Sequence, residues 1–348
     1  MLAFAFAFSA IAPAAAGEYD VSEAQRRFDA LAENFPALNA TVMVKREIVW
    51  EAEGGVMRGP EDGLDVGYNV YSVAKMLTGL AFARLESQGE IDLDQPVQRI
   101  EPRLPAAYAH VTARQLLSHR GGVRHYSSDK DWIEFGQMRC ETPQDALGHF
   151  IEDPLRYAPG ERFHYSTYGF VLLSHLLVQH LRADSFDAAM RQALGPHYQA
   201  RTDSDEADKA QGYLGEVGAF EPVSLSAECK FGGGGLIASA RNLAAMGAAL
   251  AAGDIVTREV AEERFMAPAA ANDDGAAYLY GMSVGYDETA EAHYSVHSGG
   301  SPGGRAYLLV FYEPRVAVAL TANYDGPRHS ETAIALGRIF AGAAPDAE

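Results

Sequence analysis

Ser72 and Lys75 stand three residues apart in the run Tyr71-Ser72-Val73-Ala74-Lys75-Met76-Leu77-Thr78-Gly79. On a helix that spacing puts both on one face, one turn apart, so the ammonium nitrogen can reach the hydroxyl. A serine activated by an adjacent base can attack a carbonyl carbon and carry the acyl group. Lysine can be that base only when neutral, and its ordinary pKa of about 10.4 leaves it charged in water. Burial among apolar groups and a neighbouring cation would both depress that value. The helix N-terminus adds a free N–H at Ser72 and a macrodipole that favours negative charge, which is half of an oxyanion hole. The bland reading is that Ser72 only caps the helix and Lys75 reaches out to solvent. Ser-x-x-Lys is a weak pattern by itself, for Ser127-Ser128-Asp129-Lys130 matches it too. That second match reads as polar loop, with no apolar helix to desolvate its lysine.

Two later stretches could complete such a site. In Phe163-His164-Tyr165-Ser166-Thr167-Tyr168-Gly169, ahead of an apolar helix, Tyr165 could hydrogen-bond to Ser72 and Lys75 and pass a proton to the leaving group. With 17 tyrosines in the chain, the plain alternative is a half-buried core residue. His297-Ser298-Gly299-Gly300 lies between two predicted strands. Its glycines let backbone approach a substrate, and a strand edge can offer an N–H to the carbonyl oxygen. His297 could supply positive charge or a hydrogen bond that titrates near neutral pH; the alternative is a glycine-rich hairpin turn. Gly281-Met282-Ser283-Val284-Gly285 matches a nucleophile elbow, but that motif needs a strand, a turn and a helix, and another strand is expected here. His293 and His297 have metal-ligand spacing on a helix, which Pro302 and the flanking glycines argue against.

These groups need elements to hold them. Ser72 opens a helix that is apolar almost all round and stops at Gly89, so it reads as buried. Before it come an amphipathic helix from Glu18 to Leu31, strands Thr41–Lys45 and Ile48–Ala52, and a Gly, Pro and Asp-rich loop from Gly54 to Gly67. From Glu90 to about Ala227 the pattern is helical. Thr112 caps Ala113 to Ser118, Thr142-Pro143 starts a helix to Ile151, Gly169 to Leu181 is apolar, and Ser185 caps a helix ending at Gly195. Gly232 to Gly235 breaks the chain, and Ser239 caps a helix to about Ala252. Strand-like runs then cover Tyr278 to Tyr286, Ala292 to Val296, Ala306 to Tyr312 and Val316 to Asn323, before a helix from Glu331 to Ala341. Strands at both ends with helices between predict an α+β fold: one antiparallel sheet from the termini, flanked by helices, with a mostly helical region inserted.

At 348 residues the chain can bury a sizeable core, and its 48% hydrophobic and 22% charged content is that of a globular protein. A formal net charge of -19 argues against nucleic acid or an anionic membrane surface as partner. Leu2 to Ala12 is apolar and Ala14-Ala15-Ala16 precedes Gly17, which reads as a signal peptide over residues 1–16, cleaved near Ala16, and therefore export to the periplasm or beyond. No Lys or Arg precedes the apolar run, and the remainder has no spanning helix. Cys140 and Cys229 could pair in an oxidising compartment or stay as two buried thiols.

The order Ser72-x-x-Lys75, Tyr165-Ser166-Thr167, His297-Ser298-Gly299 resembles the penicillin-recognising serine hydrolases: class C β-lactamases, D-alanyl-D-alanine carboxypeptidases and related esterases and peptidases. Gln115 to Val123 and Gly233 to Leu243 look like this family as well. Val123-Arg124-His125-Tyr126 and Tyr165 to Gly169 are most similar to the subgroup that holds the mitochondrial serine β-lactamase-like protein. The resemblance implies the β-lactamase/transpeptidase-like fold over residues 18–345, with its α/β part near 18–80 and 230–345, its helical part near 81–229 and the active site between them. It also implies an acyl-enzyme formed on Ser72, with Lys75 and Tyr165 handling the proton and His297 standing where many members carry lysine. The N–H groups of Ser72 and Gly300 would form the oxyanion hole, and Thr167, Ser298 and Gly299 would border the substrate. No metal or organic cofactor is expected, and the substrate is a small peptide, an ester or a β-lactam-like compound. Thr167 replaces the asparagine that usually grips an acylamino side chain, and a hydroxyl has less reach. With His297 in place of lysine, that change favours a peptidase or esterase over a true β-lactamase or penicillin-binding carboxypeptidase. A non-catalytic scaffold with the same fold is the rival of another class, against which the joint presence of Ser72, Lys75 and Tyr165 argues.

Overall fold

Apolar strands from the two ends of the chain find each other. A computed structural model describes residues 19–59, 62–204, 208–224, 226–266, 277–327 and 329–342. The proposed signal peptide lies outside them. The N-terminal section runs α1 (Val21–Ala32), β1 (Leu38–Val44), β2 (Glu47–Gly54), β3 (Tyr68–Asn69) and α2 (Val73–Ser87). The middle carries α3 (Ala113–Leu117), α4 (Asp129–Gln137), α5 (Pro143–Leu147), α6 (Thr167–Leu181) and α7 (Phe186–Leu194), then the short strands β4 (Arg201–Thr202), β5 (Gly212–Leu214) and β6 (Glu221–Val223). After a 3-10 turn at Glu228–Gly233 come β7 (Leu236–Ala238), α8 (Ala240–Ala252), α9 (Arg258–Ala261), β8 (Ala277–Leu279), β9 (Met282–Asp287), β10 (Ala292–Ser301), β11 (Gly304–Phe311), β12 (Val316–Ala322) and α10 (Ser330–Phe340).

The main sheet has seven antiparallel strands in the order β2-β1-β12-β11-β10-β9-β8. The N-terminal hairpin therefore docks on the last strand, with Leu38 opposite Ala322 and Val44 opposite Val316. One face is covered by α1 and α10, where Phe28, Trp50 and Phe340 meet ring to ring. The other face packs on α8 and continues into the inserted helical region as one core that includes α2 and α6. This is the α+β arrangement that the sequence predicts.

Several local expectations change. Tyr278 to Tyr286 is two strands, because Tyr280 (φ 48°) and Gly281 (φ 75°) turn the chain back between β8 and β9. The elbow candidate Ser283 thus sits in a hairpin strand. The helix from Pro143 stops at Leu147, while Ser128 caps α4, so the second Ser-x-x-Lys match is helical after all. Its Lys130 side chain is exposed and faces Glu134, so nothing desolvates it. His297 to Gly300 belongs to β10 and forms no turn; the glycines extend the strand past the end of β9. On a strand, His293 and His297 are about 13 Å apart at about 3.3 Å per residue, and His293 is engaged by Glu313.

Candidate active site

β3 and β7 pair antiparallel and feed the chain into Tyr71, whose φ of 44° is an uncommon value for a residue with a side chain. Its hydroxyl donates to the Pro302 carbonyl across the cleft. The turn delivers Ser72 to the start of α2, but the hydroxyl makes no cap hydrogen bond. Val73 and Ala74 donate instead to the carbonyls of Val70 and Tyr71, so the serine side chain is released from the capping role its position suggests.

The freed Ser72 Oγ lies 2.8 Å from the Tyr165 hydroxyl, which donates to it, and 3.2 Å from Lys75 Nζ. Lys75 is fully buried. Its nitrogen also reaches Thr167 Oγ1 at 3.3 Å and the carbonyl of Gly233. Burial first, and the cation Lys230 second, hold the Lys75 pKa well below the usual lysine range. Burial raises the Tyr165 pKa, so that phenol stays protonated. Lys75 is the group suited to accept a proton and Tyr165 the group suited to donate one.

Tyr165 is placed by its neighbours in sequence. The His164 N–H donates to the His119 carbonyl, the Ser166 N–H to His119 Nδ1, and the Thr167 N–H to His125 Nδ1. The Ser166 hydroxyl donates to the Arg124 carbonyl. The His119 ring packs against Tyr165 at 4.3 Å between centroids. Both histidines accept through Nδ1 and are neutral, because burial pushes His125 down to about 4 and His119 well below its usual value. Arg124 in turn pairs with Asp131, which also meets His149 and Tyr168.

Gly299 passes so close to the start of α2 that a Cβ there would sit 2.1 Å from the Val70 carbonyl oxygen and 2.8 Å from the Ser72 nitrogen. Gly300 and Ser301 line a cavity of about 220 Å3 together with Ser72, Tyr165 and Thr167. Ser298 is exposed. Among the described residues the Ser72 N–H has no hydrogen-bond acceptor. The structure thus brings Ser72, Lys75, Tyr165, Thr167 and Gly300 together.

His297 departs from expectation. Its ring is buried beside Tyr278, with Nδ1 2.6 Å from the Ser298 carbonyl and Nε2 2.9 Å from the Tyr278 hydroxyl. Nδ1–H therefore donates to the carbonyl and Nε2 accepts from the phenol. Burial lowers its pKa to about 3, so it supplies no positive charge near neutral pH. Thr167 differs too: its hydroxyl is engaged with Lys75.

Sequence reasoning missed Lys230, Trp132 and His125 as cavity residues. For Lys230 a signal existed, a cation set between Cys229 and Phe231 just ahead of the glycine run. The other two depend on a disulfide and a loop that spacing does not encode. Cys140 and Cys229 form that disulfide, tying the end of α4 to the turn that holds Lys230.

A sequence profile of the family described as Beta-lactamase matches residues 24–341. The mitochondrial serine beta-lactamase-like protein LACTB of Homo sapiens is 25% identical, over 41% of this chain and 39% of that protein. Protein flp of Staphylococcus aureus is 28% identical over 34% of this chain and 24% of its own length. The chain thus spans about two fifths or less of these curated relatives. Among solved structures, a D-stereospecific amidohydrolase from Streptomyces superposes with a TM-score of 0.75 at 21% identity, covering 91% of this chain and 98% of that one. A penicillin-binding protein homologue from Pyrococcus abyssi gives 0.73 at 22%, over 94% and 79%. EstCE1, a hydrolase with promiscuous acyltransferase activity, gives 0.74 at 17%, over 92% and 97%. With most of its length matched by that profile and its fold shared with these structures, the chain belongs to the β-lactamase family of serine hydrolases.

Proposed function

We propose that Ser72 is the nucleophile of an acyl-enzyme hydrolase acting on peptide-like amides or esters, with Lys75 as its base. The observation that carries this reading is the position of Ser72 Oγ between a buried Lys75 amine and a protonated Tyr165 hydroxyl. A neutral amine has two N–H groups and one lone pair. Thr167 Oγ1 and the Gly233 carbonyl can take the two donors, which leaves the lone pair for the Ser72 proton. Ser72 Oγ then bonds to the carbonyl carbon while its proton passes to Lys75 Nζ. As the tetrahedral intermediate collapses, the leaving group takes a proton through Tyr165, and Lys75 makes good the loss. Water repeats the sequence to release the acid. The Ser72 and Gly300 N–H groups are suited to hold the oxyanion, a role in which one donor contributes about 10²–10³ in rate.

Peptidase or esterase action is favoured over β-lactam turnover, because the Thr167 hydroxyl serves Lys75 and the buried His297 is neutral. The names of an amidohydrolase and of a hydrolase with acyltransferase activity among the structural neighbours support the same choice. The Cys140–Cys229 disulfide supports export to an oxidising compartment. Intact-mass spectrometry after treatment with a fluorophosphonate and, separately, a penicillin is the test, on wild type and Ser72→Ala. A fluorophosphonate adduct that Ser72→Ala abolishes is expected, with little or none from penicillin. Stable adducts from both would indicate a penicillin-binding carboxypeptidase, and none from either would favour a non-catalytic scaffold.

A further inference from the structure

Lys230 neither gives nor takes a proton in the transfers above and acts on them only through its charge, yet it lines the same cavity as Ser72, Tyr165 and Gly300. Its side chain is almost wholly buried, at 8% exposure. Among the described residues no carboxylate pairs with its ammonium, and its recorded partner is the face of Trp132, 5.7 Å from ring centroid to Nζ. The acids nearby are already engaged. Asp203, whose field reaches Lys230, is held by Lys209, by the Asn69 side chain and by the Ala227 N–H. Glu228 is turned to Arg139 and to the Cys140 N–H. Among the described residues no acidic side chain lines the cavity, in a chain that carries 47 acidic residues in all.

A buried ammonium without a counter-charge is costly, and proteins pair such groups or neutralise them. Burial does lower the Lys230 pKa, to about 8, which still leaves it mostly protonated at pH 7. The turn beneath it is built with strain of its own, for Phe231 has φ 39° and ψ -126°. The disulfide at Cys229 and the helix that carries Trp132 hold it in place. His297, at the position where positive charge was expected, is neutral, bonded to Tyr278 and not among the residues that line the cavity.

We infer that Lys230 anchors an anionic group of the substrate, a carboxylate borne by the ester or amide that acylates Ser72. The inference rests on the acyl-enzyme reading above. Within the cavity the carboxylate would receive charge-assisted hydrogen bonds from the ammonium, with Trp132 walling off water on one side.

The test is binding, so that turnover plays no part. The 4-nitroanilides of succinate, glutarate and adipate, and the methyl esters of the same compounds, are titrated by calorimetry into the Ser72→Ala protein at pH 7. At the best chain length the free carboxylate is expected to bind at least tenfold tighter than its methyl ester. Adding Lys230→Met should erase that difference, and Lys230→Arg should keep most of it. Raising the pH from 7 to 9.5 should erode it with no further substitution, which keeps the test valid if Lys230→Met fails to fold. Equal affinities at all three lengths, or a preference that survives Lys230→Met or is flat with pH, would overturn the inference. Fluorophosphonate labelling of otherwise wild-type protein reads the other layer. Failure there would strike the acyl-enzyme reading and leave the anion site standing.

Discussion

A lysine that works as a base must stay neutral where the enzyme operates, and Lys75 has two causes for that, burial and Lys230. Because the amine is the active form, kcat/KM should rise with pH through the depressed Lys75 pKa. Removing the cation in Lys230→Met should move this acid limb to higher pH, and a pH–rate profile on an uncharged ester checks it. Lys75→Ala should lower kcat by about 10³ or more, as loss of a partner in a nucleophile–base unit does. His297 titrates near pH 3, so the profile of His297→Gln between pH 5 and 8 should keep the wild-type shape. Thr167→Asn should raise acylation by a penicillin, read by mass, if the threonine is what limits it. The clustering of Ser72, Lys75, Tyr165 and Gly300 was legible from residue type and order, since the proposed chemistry requires those types. The state of His297 was not, because a pKa near 3 comes first from burial in the folded chain and then from the nearby Lys75, which no local spacing reveals.

At the scale of elements, the meeting of β10 with α2 decides whether the site can assemble. Gly299→Ala should cut activity at least 100-fold, since a methyl 2.1 Å from the Val70 carbonyl must push the strand off the Ser72 N–H. Kinetics alongside circular dichroism would separate this local shift from unfolding. The second clamp is the disulfide, which closes a loop across a sequence separation of 89. In the chain-entropy picture such a loop contributes about 4 to 5 kcal/mol. Cys140→Ala with Cys229→Ala should therefore lower the melting temperature by several degrees, measured by calorimetry, and loosen Trp132 against Lys230. Helix caps at Thr112, Ser185 and Ser239 were readable because each cap has a side-chain signature. The two-residue strands β3 and β4 were not, for they exist only by pairing with β7.

Across the whole molecule, buried neutral histidines make the fold sensitive to acid. His125 and His329 titrate near 4 and His297 near 3 in the folded chain, against about 6.5 in the unfolded one. The unfolded state therefore binds more protons once the pH drops below about 6.5. The stability these groups contribute is complete above that pH and drains away as it falls towards 4 and 3. Urea midpoints should decline steeply from pH 6.5 to 4, and His329→Gln, a change outside the lining of the Ser72 cavity, should flatten the decline. The α+β plan itself was legible because apolar strands crowd both ends of the sequence. That plan also bears on how the protein is made. Leu38 pairs with Ala322, 284 residues later. At about 5–20 residues per second of synthesis, β1 waits roughly 15 to 60 s for its partner. Until then the edge of β1 that β12 will cover lies open, and the main sheet cannot close before nearly the whole chain has been made.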